Sequence, residues 1–351
     1  MLYTAIDFHK RYSVACTMDA MGSRVKEAHI ENCEQAFAAY FQGLSDDSRV
    51  VIEACRNWSW LHDILEELEG VERVVLANPV KTRIIADAQI KTDRLDAAAL
   101  CTLLRGQLVA EAHVPSRSTR AKKYFLRQRQ FWVRTRTALR NRIHIILDRQ
   151  HGLQRPECSD IFGQKGLRWM HQLDLPHPDG ALLAESLALH DMLAKQIRAL
   201  EKQIAKEQAS EPTAGLLRTL PGVGPVLSAI IATEIDGVER FHRSDKLCAY
   251  AGLVPSTYAS GGNVYHGRLL RGCNRWLRWA FIEAAWAAIG CSGYFGGIYR
   301  EHRARGKRAS IAITAVARRM CQIAWSMLRE NRNYSHTPRS IRSSPTAPAP
   351  I

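Results

Sequence analysis

Leu2-Tyr3-Thr4-Ala5-Ile6-Asp7-Phe8 followed by His9-Lys10-Arg11 reads as an apolar β-strand interrupted by one carboxylate and closed by polar residues. An acid inside an apolar strand is costly unless something compensates it, so Asp7 is a candidate for chemistry. Tyr12 to Met18 follows directly as a second strand, which makes a hairpin of the pair. Two more carboxylate-bearing stretches lie in the first hundred residues. Val50-Val51-Ile52-Glu53-Ala54 puts Glu53 on a third strand, and Lys91-Thr92-Asp93-Arg94-Leu95-Asp96-Ala97 puts Asp93 and Asp96 on one face of a helix. Close carboxylates repel one another unless cations neutralise them. Carboxylates from strand ends and a helix would therefore suit a hard divalent cation, Mg2+ or Mn2+; beside Lys91 and Arg94, Asp93 and Asp96 fit helix-face salt bridges as well.

Around these stretches the pattern is mixed. Residues 25–43 are expected to form a helix stopped by Gly43, and Asn57-Trp58-Ser59-Trp60 opens another that runs to Leu68. Val71 to Ala77 is a strand closed by Asn78-Pro79, and helix returns from Lys81, at least over Asp93 to Leu104. The result is an α/β domain with at least four strands over residues 1–112. Glu66, Glu67, Glu69 and Glu72 cluster at a helix end and its exit turn, where they read as a solvated face. Asp87 reads as a bystander.

The chain has 351 residues, 46% of them hydrophobic, enough for two domains with real cores. Its formal charge of +15 is unevenly spread. Residues 1–112 hold 12 Lys/Arg against 17 Asp/Glu, so the remainder carries +20. A basic surface of that kind attracts a polyanion such as nucleic acid. The nine cysteines show no zinc or thioredoxin spacing and read as small core residues of a reducing compartment. Met1-Leu2-Tyr3 leads straight into strand, leaving no room for a signal peptide, and the apolar run Trp279 to Cys291 is too short to span a bilayer and contains Glu283. The expectation is a cytoplasmic protein with no membrane partner.

Residues 113–151 form a basic helical segment, with 11 Lys/Arg and one acid between positions 117 and 149. Its apolar stripes suit packing, and Lys122, Lys123, Arg127 and Arg134 suit a nucleic-acid backbone. Residues 152–211 are expected to be an irregular loop, broken by Gly and Pro as far as 178, then a coiled-coil-like helical connector; an oligomer seam and an internal antiparallel pair both fit its spacing. Residues 212–333 form a mainly α-helical C-terminal domain, and 334–351 a disordered Ser/Pro/Arg tail. Leu220-Pro221-Gly222-Val223-Gly224-Pro225 resembles the phosphate-binding turn of a helix-hairpin-helix, through Gly222 and Gly224; a plain turn before a core helix fits as well. Ser256, Ser260 and Ser292 are candidate hydroxyls. Arg268, Arg271, Arg275 and Arg278 are spaced around Gly272-Cys273-Asn274 and suit phosphate contacts. No Cys/His finger or basic zipper supplies base readout.

Across residues 1–332 these motifs together resemble the IS110 family of insertion-sequence transposases. They are Asp7, the Glu53 strand, Asn78-Pro79, Lys-x-Asp-x-x-Asp at 91–96, Leu-x-x-x-Pro-Gly-Val-Gly at 217–224, and Gly-Leu-x-Pro…Ser-Gly from 252 onward to Arg278. The resemblance implies a ribonuclease-H-like, Holliday-junction-resolvase-like N-terminal domain with an Asp-Glu-Asp-Asp set, here Asp7, Glu53, Asp93 and Asp96. It implies a C-terminal transposase domain with a catalytic serine, here Ser260. It also implies donor and target double-stranded DNA, an element-encoded guide RNA, and a homo-oligomer, dimer or tetramer. The activity implied is site-specific excision and insertion of the element. A Holliday-junction endonuclease and a non-catalytic nucleic-acid-binding scaffold are the alternatives.

Overall fold

The computed structural model describes residues 1–85, 92–208, 211–260, 263–270 and 272–335. The chain divides into two compact units, Met1–Pro115 and Ser116–Ile351. The first contains, in order, β1 (Leu2–Phe8), β2 (Tyr12–Met18), β3 (Arg24–Glu31), α1 (Glu34–Gln42), β4 (Ser48–Glu53), α2 (Trp58–Glu67), β5 (Val71–Ala77), α3 (Pro79–Ile85) and α4 (Asp93–Arg105).

The five strands form one sheet in the order β3-β2-β1-β4-β5. β1, β2 and β3 pair antiparallel, while β4 and β5 join as parallel strands. Ile6 stands opposite Ile52 across the parallel β1/β4 pair. Side chains alternate across a sheet, so this register sorts residues onto two faces. Ile6, Ala15, Val50, Ile52 and Leu76 pack with Phe37, Tyr40 and Phe41 of α1 and Leu61 and Leu65 of α2. Ala5, Val14, Cys16, Val51 and Val75 pack with Ala97, Ala98, Leu100, Cys101 and Leu104 of α4. Asp7 continues the alternation of Ala5, and Glu53 that of Val51. Both acids therefore belong to the face that α4 covers, at the C-terminal ends of adjacent parallel strands.

The sheet also buries polar groups and satisfies them. Thr4 Oγ1 lies 2.7 Å from the hydroxyls of Thr17 and Ser48, and Thr17 lies 2.7 Å from the Tyr40 hydroxyl. Burial pushes the Tyr40 phenol up to about 12, so it stays a neutral hydrogen-bonding group.

One expected helix is corrected. Residues 25–43 are the strand β3 followed by α1, not one helix. Ala28 and Ile30 sit two apart and reach the α1 core, whereas Val25 is exposed, a period of two on an edge strand. Asn32 ends the strand by accepting from Ser13 Oγ at 2.7 Å and donating to the His9 carbonyl at 2.8 Å. Asn78-Pro79 is a helix start: Asn78 Oδ1 accepts from Val80 and Lys81 amides at 3.1 and 3.2 Å, with Pro79 at the first position of α3.

The second unit is mainly helical: α5 (Arg117–Asp148), α6 (Gln164–His171), α7 (Asp179–Gln208), α8 (Pro212–Arg218), α9 (Pro225–Ile235), α10 (Ser244–Tyr250), the strands β6 (Pro255–Ser260) and β7 (Asn263–Leu269), then α11 (Arg275–Cys291), α12 (Gly293–Ala304) and α13 (Ala309–Arg329). α5 and α7 form an antiparallel pair within this chain. Arg129 pairs with Glu201, Arg140 Nε reaches His190 at 3.3 Å, and Arg149 pairs with Asp179. The stretch 152–178, expected to be irregular, contains α6, whose Met170 packs with Ile143, Ile146, Leu147, Leu183 and Leu187. A larger core joins α9, α10, α11 and α13. Among the described residues no helix is long and apolar enough to cross a membrane.

The Pro-Gly-Val-Gly turn connects α8 to α9, and its two glycines differ. Gly222 has φ +80°, and a Cβ there would lie 2.3 Å from the Ala284 carbonyl oxygen and 2.6 Å from the Ala288 nitrogen, both backbone atoms of α11. Its close approach is to a neighbouring helix of its own unit. Gly224 has φ −83° and open space where a Cβ would sit. Gly222→Ala should therefore lower stability by about 2 kcal/mol or more through backbone strain and overpacking. Gly224→Ala should cost about 1 kcal/mol or less. Urea denaturation of the two variants checks this, and equal losses would contradict it.

Candidate active site

Asp7, His9 and Asp93 meet where β1 turns into β2 and α4 begins. Their ligand atoms lie within 4.8 Å of one another. His9 Nε2 is 3.2 Å from Asp7 Oδ2 and 3.2 Å from Asp93 Oδ2. Tyr12 donates its hydroxyl to Asp93 Oδ2 at 3.0 Å. α4 starts here because Thr92 caps it, its hydroxyl accepting from the Leu95 amide at 3.3 Å. Asp93 and Asp96 fall in the first turn, where the positive end of the helix dipole favours acids.

Burial pushes the Asp7 carboxyl above its ordinary value of 3.8. His9 pulls it down, and Asp93 and then Asp96 push it up. Negative charge is thus concentrated at a half-buried point, an arrangement that a bound cation would relieve. Two carboxylates and an imidazole are donors that a divalent metal accepts, so the residues present fit such an ion.

The four expected acids are placed unequally. Asp7 and Asp93 are in the close cluster. Glu53 ends β4 one step beyond the Ile6–Ile52 pair, and Asp96 lies one helical turn from Asp93; neither belongs to the close group of potential ligands. Asp87 and Lys91 lie outside the described residues. His62, Asp63 and Glu66 make a second His/acid group, all on α2, with His62 Nδ1 3.3 Å from Glu66, which suits helix-face pairing.

Ser260 is the last residue of β6 and stands opposite Asn263 across the β6/β7 hairpin; Gly261 and Gly262, between them, lie outside the described residues. Of the competing serines, Ser256 is the second residue of β6. Ser292 is buried between α11 and α12, its amide donating to Ala288 and its carbonyl accepting from Gly296, both at 2.9 Å.

Two family models match the chain, over separate stretches of it. The IS110 DEDD model, described as transposase, matches residues 4–151, and that of the transposase IS116/IS110/IS902 family matches residues 214–300. The chain belongs to the IS110/IS116 family of transposases. A probable family 20 transposase of Pseudomonas aeruginosa is 25% identical to it over 81% of this chain and 85% of the relative. The transposase for insertion sequence element IS1328 of Yersinia enterocolitica is 23% identical over 82% and 85%. The uncharacterized 43.6 kDa protein of insertion element IS110 of Streptomyces coelicolor is 33% identical over 43% of this chain and 37% of that one.

In this IS110/IS116 transposase several of the expected nucleic-acid contacts have internal partners. Lys123 is buried, its Nζ 3.3 Å from Glu234, and Arg127 Nη2 reaches the same carboxylate at 3.4 Å. Arg127 and Arg134 also lie 5.6 and 5.5 Å from the Trp276 ring centre. Lys122 pairs with Glu211. Arg278 donates to the Leu270 carbonyl and to Cys273 Sγ. Arg268 and Arg275 are exposed, and Arg271 lies outside the described residues. Glu234 is a residue that sequence reading missed. It is buried in α9, accepts from Asn274 Nδ2 at 2.9 Å, and Asn274 in turn caps α11. Removing it would strand buried positive charge at a cost of roughly 3–5 kcal/mol. Its only signal in sequence is one acid in an otherwise apolar helix.

The raised Asp7 carboxyl has a stability consequence for the metal-free protein. A carboxyl whose folded value is raised contributes stability that is present at low pH and lost as pH rises through that value. Asp7→Asn, in chelator, should therefore melt at or above wild type near pH 7, with the gap closing toward about pH 4. A variant that melts several degrees lower at neutral pH would contradict this.

Proposed function

We propose that the protein is a DNA recombinase that excises and inserts its insertion sequence by metal-assisted, serine-dependent strand exchange, guided by a structured RNA. The observation that carries the reading is the convergence of Asp7 and Asp93 from a strand and a helix, in a chain of this transposase family. The sheet order β3-β2-β1-β4-β5, with β1, β4 and β5 parallel, supports a ribonuclease-H-like reading of the first unit. Asp7 and Asp93 would hold Mg2+ or Mn2+, with Glu53 and Asp96 completing the acidic set. When bound, the cation supplies charge stabilisation at a phosphodiester and orients its oxygens.

Ser260 is the proposed nucleophile. Its Oγ attacks a DNA phosphorus, its proton passes to solvent or a base, and a deoxyribose oxygen leaves. The phosphoserine ester keeps the bond energy until a new sugar hydroxyl attacks the phosphorus and displaces Oγ. The proposed active assembly is a homo-oligomer, as the family resemblance implies. Exposed Arg268 and Arg275 are the proposed backbone contacts near the exchanged phosphate, since a guanidinium fork meets two phosphate oxygens. The RNA reading is supported by the family and by the lack of a base-reading motif in sequence.

The decisive assay combines DNA carrying the element ends, co-purified RNA and Mg2+. Asp7→Ala and Ser260→Ala should each lower recombinant junctions by roughly 10³-fold or more. Joined products undiminished in Ser260→Ala would remove the serine step. Cuts without joining in wild type would favour a junction nuclease instead.

A further inference from the structure

We propose that His9 is a ligand of the cation held by Asp7 and Asp93, so that the centre has a mixed nitrogen and oxygen shell and favours Mn2+ over Mg2+. The inference rests on the metal centre of the preceding reading and names a ligand outside its four acids. Three observations carry it. His9 Nε2 is a buried atom with no hydrogen bond of acceptable geometry, although carboxylate oxygens of Asp7 and Asp93 each stand 3.2 Å away. A buried nitrogen at the same 3.2 Å from two carboxylates points to something that all three could share. Next, the spacing suits a shell of ligands. Donors at about 2.1 Å from an octahedral ion stand about 3 Å apart along each edge.

Finally, His9 is held in place. Its amide donates to the Tyr12 carbonyl at 3.0 Å, and its carbonyl accepts from Asn32 Nδ2 at 2.8 Å. The ring lies beside Tyr12, with ring centres 5.0 Å apart. The Tyr12 hydroxyl also donates to Asp93 at 3.0 Å, so the same turn orients an acid and the imidazole together. Supporting contacts of this kind commonly orient metal-binding groups. The rival role for His9 is an ion-pair partner of the two acids, which would leave metal preference to the carboxylates alone. Both ions favour carboxylate oxygen, but Mn2+ is a transition metal that also accepts an imidazole nitrogen, whereas Mg2+ keeps to oxygen donors and water. Preference is therefore where the two roles part.

The test is pulsed electron paramagnetic resonance of the full-length protein with one equivalent of Mn2+, joined to Mn2+ and Mg2+ titrations of wild type, His9→Gln and Asp7→Asn. The expected result is nitrogen-14 modulation of the Mn2+ signal in wild type and none in His9→Gln. His9→Gln should lose roughly tenfold or more in Mn2+ affinity with little change for Mg2+. Asp7→Asn should lose both. Mn2+ bound in wild type, lost in Asp7→Asn, but without nitrogen modulation would overturn the His9 assignment and leave the acidic centre standing. Modulation that persists in His9→Gln would also overturn it. No Mn2+ binding to wild type would remove this inference together with the metal centre. If His9→Gln fails to fold, His9→Asn is measured in its place with the same two outcomes, and absence of nitrogen modulation in wild type overturns the assignment without any variant.

Discussion

The parallel register that sets Ile6 opposite Ile52 governs the chemistry of the first unit. Because strand side chains alternate, it assigns Asp7 and Glu53 to one face and the large aliphatic core to the other. A slip of one residue in β1 would turn Asp7 toward α1 and α2 and Ile6 toward α4, so the apolar core protects the register. α4 packs on the acid-bearing face through Ala97, Leu100, Cys101 and Leu104, which brings its first turn, and with it Asp93, to the end of β1. The site is thus a consequence of ordinary core packing on both sides of a five-stranded sheet. The cost is concentrated at Asp7, whose carboxyl is held above its usual value by burial and by neighbouring acids.

The second unit uses positive charge in two ways. Part of the basic helix α5 is tied into its own fold: Lys123 and Arg127 converge on buried Glu234, and Arg127 and Arg134 face Trp276 at the start of α11. The same carboxylate reaches Asn274, which caps α11. Charge in this unit therefore cannot be converted directly into phosphate contacts. Arg268 and Arg275, exposed on β7 and at the first turn of α11, are in a better position for that role.

The acidic stretches could be read from sequence because an acid within an apolar strand, or a pair of acids at a helix start, stands out from its surroundings. The hairpin β1/β2 and the strands β4 and β5 were legible for the same reason, as short apolar runs between turns. Residues 25–43 were not, since Val25 and Ala28 stand three apart as on a helix while Ala28 and Ile30 stand two apart as on a strand, and the neighbouring β2 decides between them. The α5/α7 pairing needed tertiary contacts to separate an internal pair from an oligomer seam. Gly222 could be recognised as a close-approach glycine, but its partner, α11, is distant in sequence. His9 gave no periodic signal, because its position depends on Asn32 and on α4. Ser260 owed its selection to family resemblance, since Ser256 and Ser292 were chemically equivalent in sequence.

The proposed chemistry requires that β1 and α4 build a cation site. Anomalous diffraction from crystals of the full-length protein soaked in Mn2+ locates such an ion directly. The principal anomalous peak should lie within coordinating distance of the Asp7 and Asp93 carboxylates. A principal peak elsewhere, or no peak at saturating Mn2+ with both carboxylates ordered, would contradict it.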